Sequence, residues 1–277
     1  MDELTRRLWH RFEVIHDVVY FDPRVAAAAK ALGLRGYWMG YFAFRAAPLG
    51  PVGPAVVTAV FYGFHRSRVE RALPDAWTYT TPEAAIAARE AAIDEAFADF
   101  TGLDEAADLA WRAAQAADTA GRPLAAANQA LPRPASPRVA LWQATAVLRE
   151  HRGDGHNAVL VARGIGPAEA HLLKGGAGES DVDVLRTGRG WPDDEWARAR
   201  ERLGDLLDAD GRLTAAGRAE HDAIEAATDR AARRPWEALG EADATRLLDL
   251  LHPVAAATVG TGLVPQPNPV GLTWTGA

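Results

Sequence analysis

No cysteine occurs among the 277 residues, which excludes disulfides, thiolate metal centres and thiol nucleophiles. Lysine is almost missing as well: Lys30 and Lys174 are the only two, so basic character rests on arginine. Positive charge is in deficit, with 30 lysines and arginines against 37 acids and a formal net charge of −7. Attraction to nucleic acid or anionic lipid by bulk charge is therefore not expected. Several enzyme signatures are absent too. There is no Gly-x-Ser-x-Gly elbow, and Ser67, Ser136 and Ser180 fall in cap, surface or loop contexts. Gly153, Gly155, Gly164 and Gly166 are neither preceded by a parallel strand nor followed by the lysine of a phosphate loop. Met1 to Arg7 lacks the apolar core of a secretion signal, so a cytoplasmic protein is expected. No unbroken apolar run spans a membrane either. Residues 36–64 contain Arg45 as their only charge, but Pro48, Pro51 and Pro54 interrupt them and predict two buried helices joined by a rigid turn.

What is present is a strongly helical pattern with 48% hydrophobic residues, enough for two ordinary domains. Leu4, Leu8, Phe12, Ile15 and Val19 recur at intervals of three and four and predict an opening helix that stops before Pro23. A short helix follows from about Arg24, and a third, from about Arg35 to Ala47, puts Trp38, Tyr41, Phe42 and Arg45 on one face. A fourth is predicted from Pro54 to Leu73, stopped by Pro74. Thr80-Thr81-Pro82-Glu83 is a cap signature for a fifth that carries Ile86, Ile93, Phe97 and Phe100. An alanine-rich helix over 104–118 and a short one after Pro123 complete the first half.

Pro132, Pro134 and Pro137 mark the expected domain boundary. Beyond it, a helix to about His151, a turn at Arg152-Gly153-Asp154-Gly155, a helix over 156–163 and a further one from Ala168 to Leu173 are predicted. A glycine-rich irregular stretch over 175–190 precedes a helix from Asp193 to Leu207. Leu203, Leu206 and Leu207, the turn Asp210-Gly211 and the cap Thr214 then read as helix end, hairpin wing and new helix, which is the layout of a winged helix. The last helices are expected over 215–233 and around Leu247 to Leu251. The fold class expected is thus mainly α: a helical domain over 1–131, a winged-helix domain with a small β-hairpin wing over 132–256, and a Pro/Gly-rich tail over 257–277.

Arg45 is the first candidate for chemistry. A guanidinium on an aromatic helix face needs either an internal partner, such as Asp17, Asp22 or the ring of Trp38, or an anionic ligand. His16, four residues after Phe12, and His65, four after Phe61, sit at the edges of apolar stripes, where histidine serves either as a hydrogen-bonded core residue or as an acid/base. If His16, Arg45 and His65 converge, they line one aromatic pocket with Tyr20, Trp38, Tyr41 and Tyr62. His151, Asp154 and His156 lack metal-ligand spacing and are read as a turn; no metal and no cofactor is expected.

The C-terminal half resembles the MarR-like winged-helix proteins, most closely over Leu203 to Asp229 and more weakly over Leu141 to Leu173. The whole chain is similar to an actinobacterial group of helix-turn-helix proteins. The runs that carry this second resemblance are Leu34-Arg35-Gly36-Tyr37-Trp38-Met39-Gly40-Tyr41-Phe42, Arg45-Ala46-Ala47-Pro48-Leu49-Gly50, Arg71-Ala72-Leu73-Pro74-Asp75-Ala76-Trp77 and Arg149-Glu150-His151-Arg152-Gly153-Asp154-Gly155-His156. No agreed activity comes with that group. The MarR resemblance implies the fold, a homodimer or other partner through helices, and binding of DNA or a small molecule.

Charge argues against the DNA part. The helix in the recognition position opens with Asp193-Asp194-Glu195, and residues 191–235 hold eleven acids against eight arginines. Acids at a helix start suit its dipole but repel phosphate. Arg198, Arg202 and the wing-tip Arg212 are the residues that would touch DNA if any do. The function expected is binding of a small organic ligand, anionic ones included, on a winged-helix scaffold whose DNA reading is weak or lost. The alternatives are an enzyme of secondary metabolism, with Arg45 as anion anchor and His16 or His65 moving a proton in an elimination, cyclisation or displacement, and a ligand-responsive transcriptional regulator.

Overall fold

A computed structural model describes residues 1–266 together with Asn268, Val270 and Trp274. The first half follows the apolar spacing closely. Helix α1 (Asp2–Phe21) buries Leu8, Phe12 and Ile15 and stops at Asp22, whose carboxylate caps α2 (Pro23–Ala31) by accepting the Arg24 amide at 2.7 Å. Helix α3 (Gly36–Ala46) carries the aromatic face, and a short 3₁₀ turn, Ala47–Leu49, leads through the prolines to α4 (Pro54–Phe61). Among the described residues no single helix is long and apolar enough to cross a membrane. The apolar pair Gly36–Leu49 and Pro54–Phe61 meets at 91°.

The predicted helix from Pro54 to Leu73 is instead two, because α4 ends at Tyr62, a non-glycine residue with φ of +47°, and α5 (Arg66–Glu70) begins after His65. The reason lies far away in sequence. The carbonyls freed by the break are taken by the C-terminal half: Val60 O accepts Asn157 Nδ2 at 3.1 Å, and Gly63 O accepts Trp191 Nε1 at 3.0 Å and His171 Nε2 at 2.9 Å. Thr81 caps α6 (Pro82–Ala96) as expected, followed by α7 (Asp104–Gln115) and α8 (Pro123–Gln129).

Helix α9 (Pro137–Ala162) is the spine. It runs 26 residues without interruption, so the turn predicted at Arg152-Gly153-Asp154-Gly155 is overturned. Gly155 serves close approach rather than chain reversal. A Cβ on Gly155 would lie 2.5 Å from Nη1 of Arg122, which crosses α9 there to donate to the carbonyls of His151 and Ala231. Asp154 accepts the amides of Leu124 and Ala125 at 2.9 and 3.0 Å, capping the start of α8. Next come α10 (Pro167–Gly176) and α11 (Val182–Arg189). The latter lies inside the stretch predicted to be irregular, and its cap is Asp181, which accepts the Val184 amide at 2.9 Å. Gly190, left-handed with φ of +82°, turns the chain into α12 (Asp193–Leu203).

Where the hairpin wing is expected, around the turn Asp210-Gly211, no β-strand forms among the described residues. Among the described residues the single strand-like pairing is an antiparallel bridge between Leu207 and Leu213, and Leu213 also donates its amide to Gly176 O at 3.1 Å. Thr214 caps α13 (Ala215–Ala231), and α14 (Arg234–Leu239) and α15 (Glu241–Gly260) complete the chain of helices. The architecture is therefore mainly helical.

Two apolar clusters organise these elements. The larger joins α1, α3, α6 and α7 to Leu141, Trp142 and Val147 of α9 and to Trp236 and Leu247, so one core continues across the proline cluster at 132–137. The smaller holds Leu160, Ile165, Leu172, Leu185, Trp196, Leu203 and Ile224. Helix α9 contributes to both. In the predicted tail, Val264 is buried and Trp274 lies against His252 and under the guanidinium of Arg11 at 4.6 Å; residues 267, 269, 271–273 and 275–277 lie outside the described residues.

Candidate functional site

Between the two clusters lies a cavity of about 830 Å³, within the size range of small-molecule sites. Its apolar wall comes from the N-terminal half: Tyr20 and Tyr41 lie 5.3 Å apart, and Trp38 and Tyr41 meet the ring of Phe64 at 5.6 and 5.4 Å. The opposite wall is charged and comes from α9, α10, α11 and α13. Tyr62, held in its left-handed conformation, donates its hydroxyl to Ile165 O at 2.6 Å and so pins the break after α4 to the second cluster.

Of the residues singled out by sequence, Tyr20, Trp38, Tyr41, Arg45 and Tyr62 all line this cavity. Arg45 has an internal partner, but it is neither Asp17 nor Asp22. Its Nε and Nη2 donate to the two oxygens of Glu150 at 2.8 and 2.9 Å, 105 residues along the chain, while Nη1 donates to the Tyr41 hydroxyl at 3.1 Å. The guanidinium lies 4.1 Å from the ring centre of Phe61 rather than on Trp38. Arg149 extends the network to Glu150 at 3.1 Å and Glu13 at 3.2 Å. Burial pushes the Glu150 carboxyl up, but Arg45 and Arg149 outweigh burial and hold it well below its ordinary range.

The two histidines part company. His16 is buried, stacked on Trp142 at 9° and 5.6 Å, with Nε2 3.0 Å from the Tyr20 hydroxyl, and burial keeps its ring neutral by lowering its pKa well below 6.5. It faces a second cavity of about 540 Å³ that shares Tyr20, Tyr41, Arg45 and Glu150 with the first. His65 lines neither cavity: it caps α5 through Ser67, packs its ring against Trp191 at 5.1 Å and places Nε2 3.4 Å from Glu195. His16 and Arg45 therefore share the second cavity, and His65 does not join them.

Other residues at the site carry little or no signal in the sequence. Lys174 and Arg189 line the first cavity, and among the described residues neither forms an ion pair with a carboxylate. Lys174 donates to Val270 O at 2.5 Å, and Arg189 sits 4.3 Å over the ring of Phe64. Burial lowers the Lys174 ammonium, with Glu179 and Glu225 opposing and Arg189 adding to the lowering. Burial also lowers His171 beside them to about 3, with Arg189 and Lys174 contributing. The one available signal is that Lys174 is one of only two lysines; Arg189 and Glu150 have none.

The three arginines expected to touch DNA are exposed, and each lies near an acid. Arg198 pairs with Asp194 at 2.9 Å, Arg202 with Glu169 at 2.5 Å, and Arg212 lies 4.0 Å from Asp210. The end of α11 and the turn after it dock onto residues 63–68: His65 N donates to Arg189 O at 3.0 Å, Arg68 Nη2 to Thr187 O at 2.6 Å, and Trp191 Nε1 to Gly63 O, while Asp193 and Asp194 at the start of α12 stay exposed. His151, Asp154 and His156 are likewise committed separately: Nδ1 of His156 is 2.9 Å from Thr228 Oγ1, and no cluster able to hold a metal ion forms among the described residues.

Two helices joined through a glycine turn and followed by a capped third helix define a helix-turn-helix type of scaffold. A helix-turn-helix family model matches residues 5–265, and the chain belongs to that family. No curated protein and no solved structure matches it.

Proposed function

We propose that the protein binds a small organic anion in the 830 Å³ cavity, on a winged-helix-like, MarR-like scaffold that has weak or no DNA reading. The observation that carries this reading is the pairing of an aromatic wall with Lys174 and Arg189, two cations that form no direct ion pair with a carboxylate among the described residues, although Glu179 and Glu225 share the cavity with them. A half-buried ammonium and guanidinium gain from a nearby counter-charge, and a carboxylate, sulfonate or phosphate resting against Trp38, Tyr41 and Phe64 would supply it. Arg45, already held by Glu150, then acts as a rigid, polar part of the wall, with the Tyr41 hydroxyl oriented by it. The order α10, α11, α12, bridge, α13 supports the winged-helix reading. The acidic start of α12 supports weak DNA binding, because a recognition helix enters the groove by that end.

The test uses 8-anilinonaphthalene-1-sulfonate, which combines a flat aromatic body with one anionic group. Its fluorescence should rise on binding the native protein, and Lys174→Met and Arg189→Gln should each weaken binding roughly tenfold or more while the protein stays folded. Equal affinity in all three proteins sinks the reading. In parallel, the protein should fail to retard promoter DNA at about 50 mM salt, where non-specific binding is strongest.

A further inference from the structure

The second cavity has features that the first does not explain. It lies behind Tyr20 and Tyr41, has a volume of about 540 Å³, and its walls include Val25, Ala29, Leu34, Phe44 and Trp142, with Lys30 and Arg35 at its exposed rim. Arg89 enters it from α6 and is only 4% exposed. This guanidinium has no ion pair among the described residues: Nη1 donates to Phe44 O at 2.8 Å, Nη2 makes a long contact of 3.4 Å to Gln143 Oε1, and Nε is buried without a hydrogen-bond partner. Its plane lies 4.9 Å from the ring centre of Trp142, on which His16 also stacks. His16 likewise lines the chamber, 4% exposed, and its Nδ1 has no partner among the described residues.

A structural arginine at such a position would be expected to meet a carboxylate, as Arg45 meets Glu150 one helix away. Burial instead lowers the Arg89 guanidinium to about 10, with Glu90, Tyr20 and Glu150 opposing only in part. Two unpartnered nitrogens, on a cation and on a neutral imidazole, thus belong to one apolar chamber large enough for a small ring system. We propose that this inner chamber is a second binding site, distinct from the outer cavity, which takes an apolar monocarboxylate with its carboxylate on Arg89 and a hydrogen bond from His16 Nδ1.

The probe is 2-naphthoate, compared with the neutral 2-acetylnaphthalene, by titration calorimetry on the full chain. Arg89→Met should weaken 2-naphthoate roughly tenfold to hundredfold, the loss of a charge-assisted contact, and leave 2-acetylnaphthalene nearly unchanged. It should also raise the melting temperature of the empty protein, because it removes a buried uncompensated charge. Lys174→Met should leave 2-naphthoate binding intact, which separates this site from the outer one. Wild-type-like binding in Arg89→Met, or a loss in Lys174→Met instead, overturns the proposal. An independent readout needs no variant: the anomalous signal of 6-bromo-2-naphthoate in crystals of the native protein should lie in the chamber behind Tyr20 and Tyr41. Bromine found only in the outer cavity or on the surface overturns it as well.

Discussion

Glu150 is the residue on which the polar centre depends. It faces Arg45 and Arg149 at once, and its own side chain is 3% exposed. Glu150→Gln leaves two buried guanidinium groups short of charge and should cost about 3–5 kcal/mol by urea denaturation. The double variant Arg45→Met/Glu150→Met removes both charges together and should recover much of that loss. The buried histidines set a pH dependence. Burial, chiefly, lowers His151 and His156 to about 4 and His171 to about 3, whereas in the unfolded chain they protonate near 6.5. As pH falls the unfolded state takes up their protons first. The stability these neutral rings contribute is therefore complete above about pH 6.5 and declines as the pH drops toward 4. Asp154, raised by burial to about 7, opposes this decline over the same interval. Urea midpoints should fall between pH 7 and 4.5, and His171→Gln, which keeps a donor for Gly63 O, should flatten the slope. Arg89 is partly legible in the sequence, since it stands three residues after Ile86 and four before Ile93 on the buried stripe of α6. Nothing local, however, could pair Arg45 with a glutamate 105 residues away.

At the scale of elements, spacing and caps identify α1, α3, α6 and α13 because their signals are local: an apolar stripe, or Thr81 or Thr214 as cap, whereas the cap of α2, Asp22, is a finding of the structure. Glycine misleads wherever its purpose is contact. In α9 the pair Gly153 and Gly155 suggests a turn, yet the helix continues and Gly155 makes room for Arg122. Gly155→Ala should therefore lower stability by about 1 kcal/mol, because displacing Arg122 from two carbonyls outweighs the helix-propensity gain of about 1 kcal/mol. In an Arg122→Ala background the same substitution should become stabilising. Thermal denaturation of the four proteins of this cycle checks both signs. The break after α4 is illegible for a similar reason: its cause is the set of donors Asn157, His171 and Trp191, and no sequence window contains both sides.

Over the whole molecule, helix α9 joins two apolar clusters, and the outer cavity is the gap they leave. The aromatic half of that gap is visible in the spacing of Trp38, Tyr41 and Arg45, while the cationic half depends on how α10 and α11 return to it. The helix-turn-helix turn is fastened to the other half at one point above all. Gly63 O serves Trp191 and His171 together, and two residues on, the His65 amide is held by Arg189 O. Any parting of the two halves must expose that amide to water, and any ligand that spans the cavity must oppose the parting. Deuterium uptake at His65 thus becomes a gauge of occupancy: the amide should exchange slowly, and more slowly still in proportion to the free energy with which the outer cavity is filled.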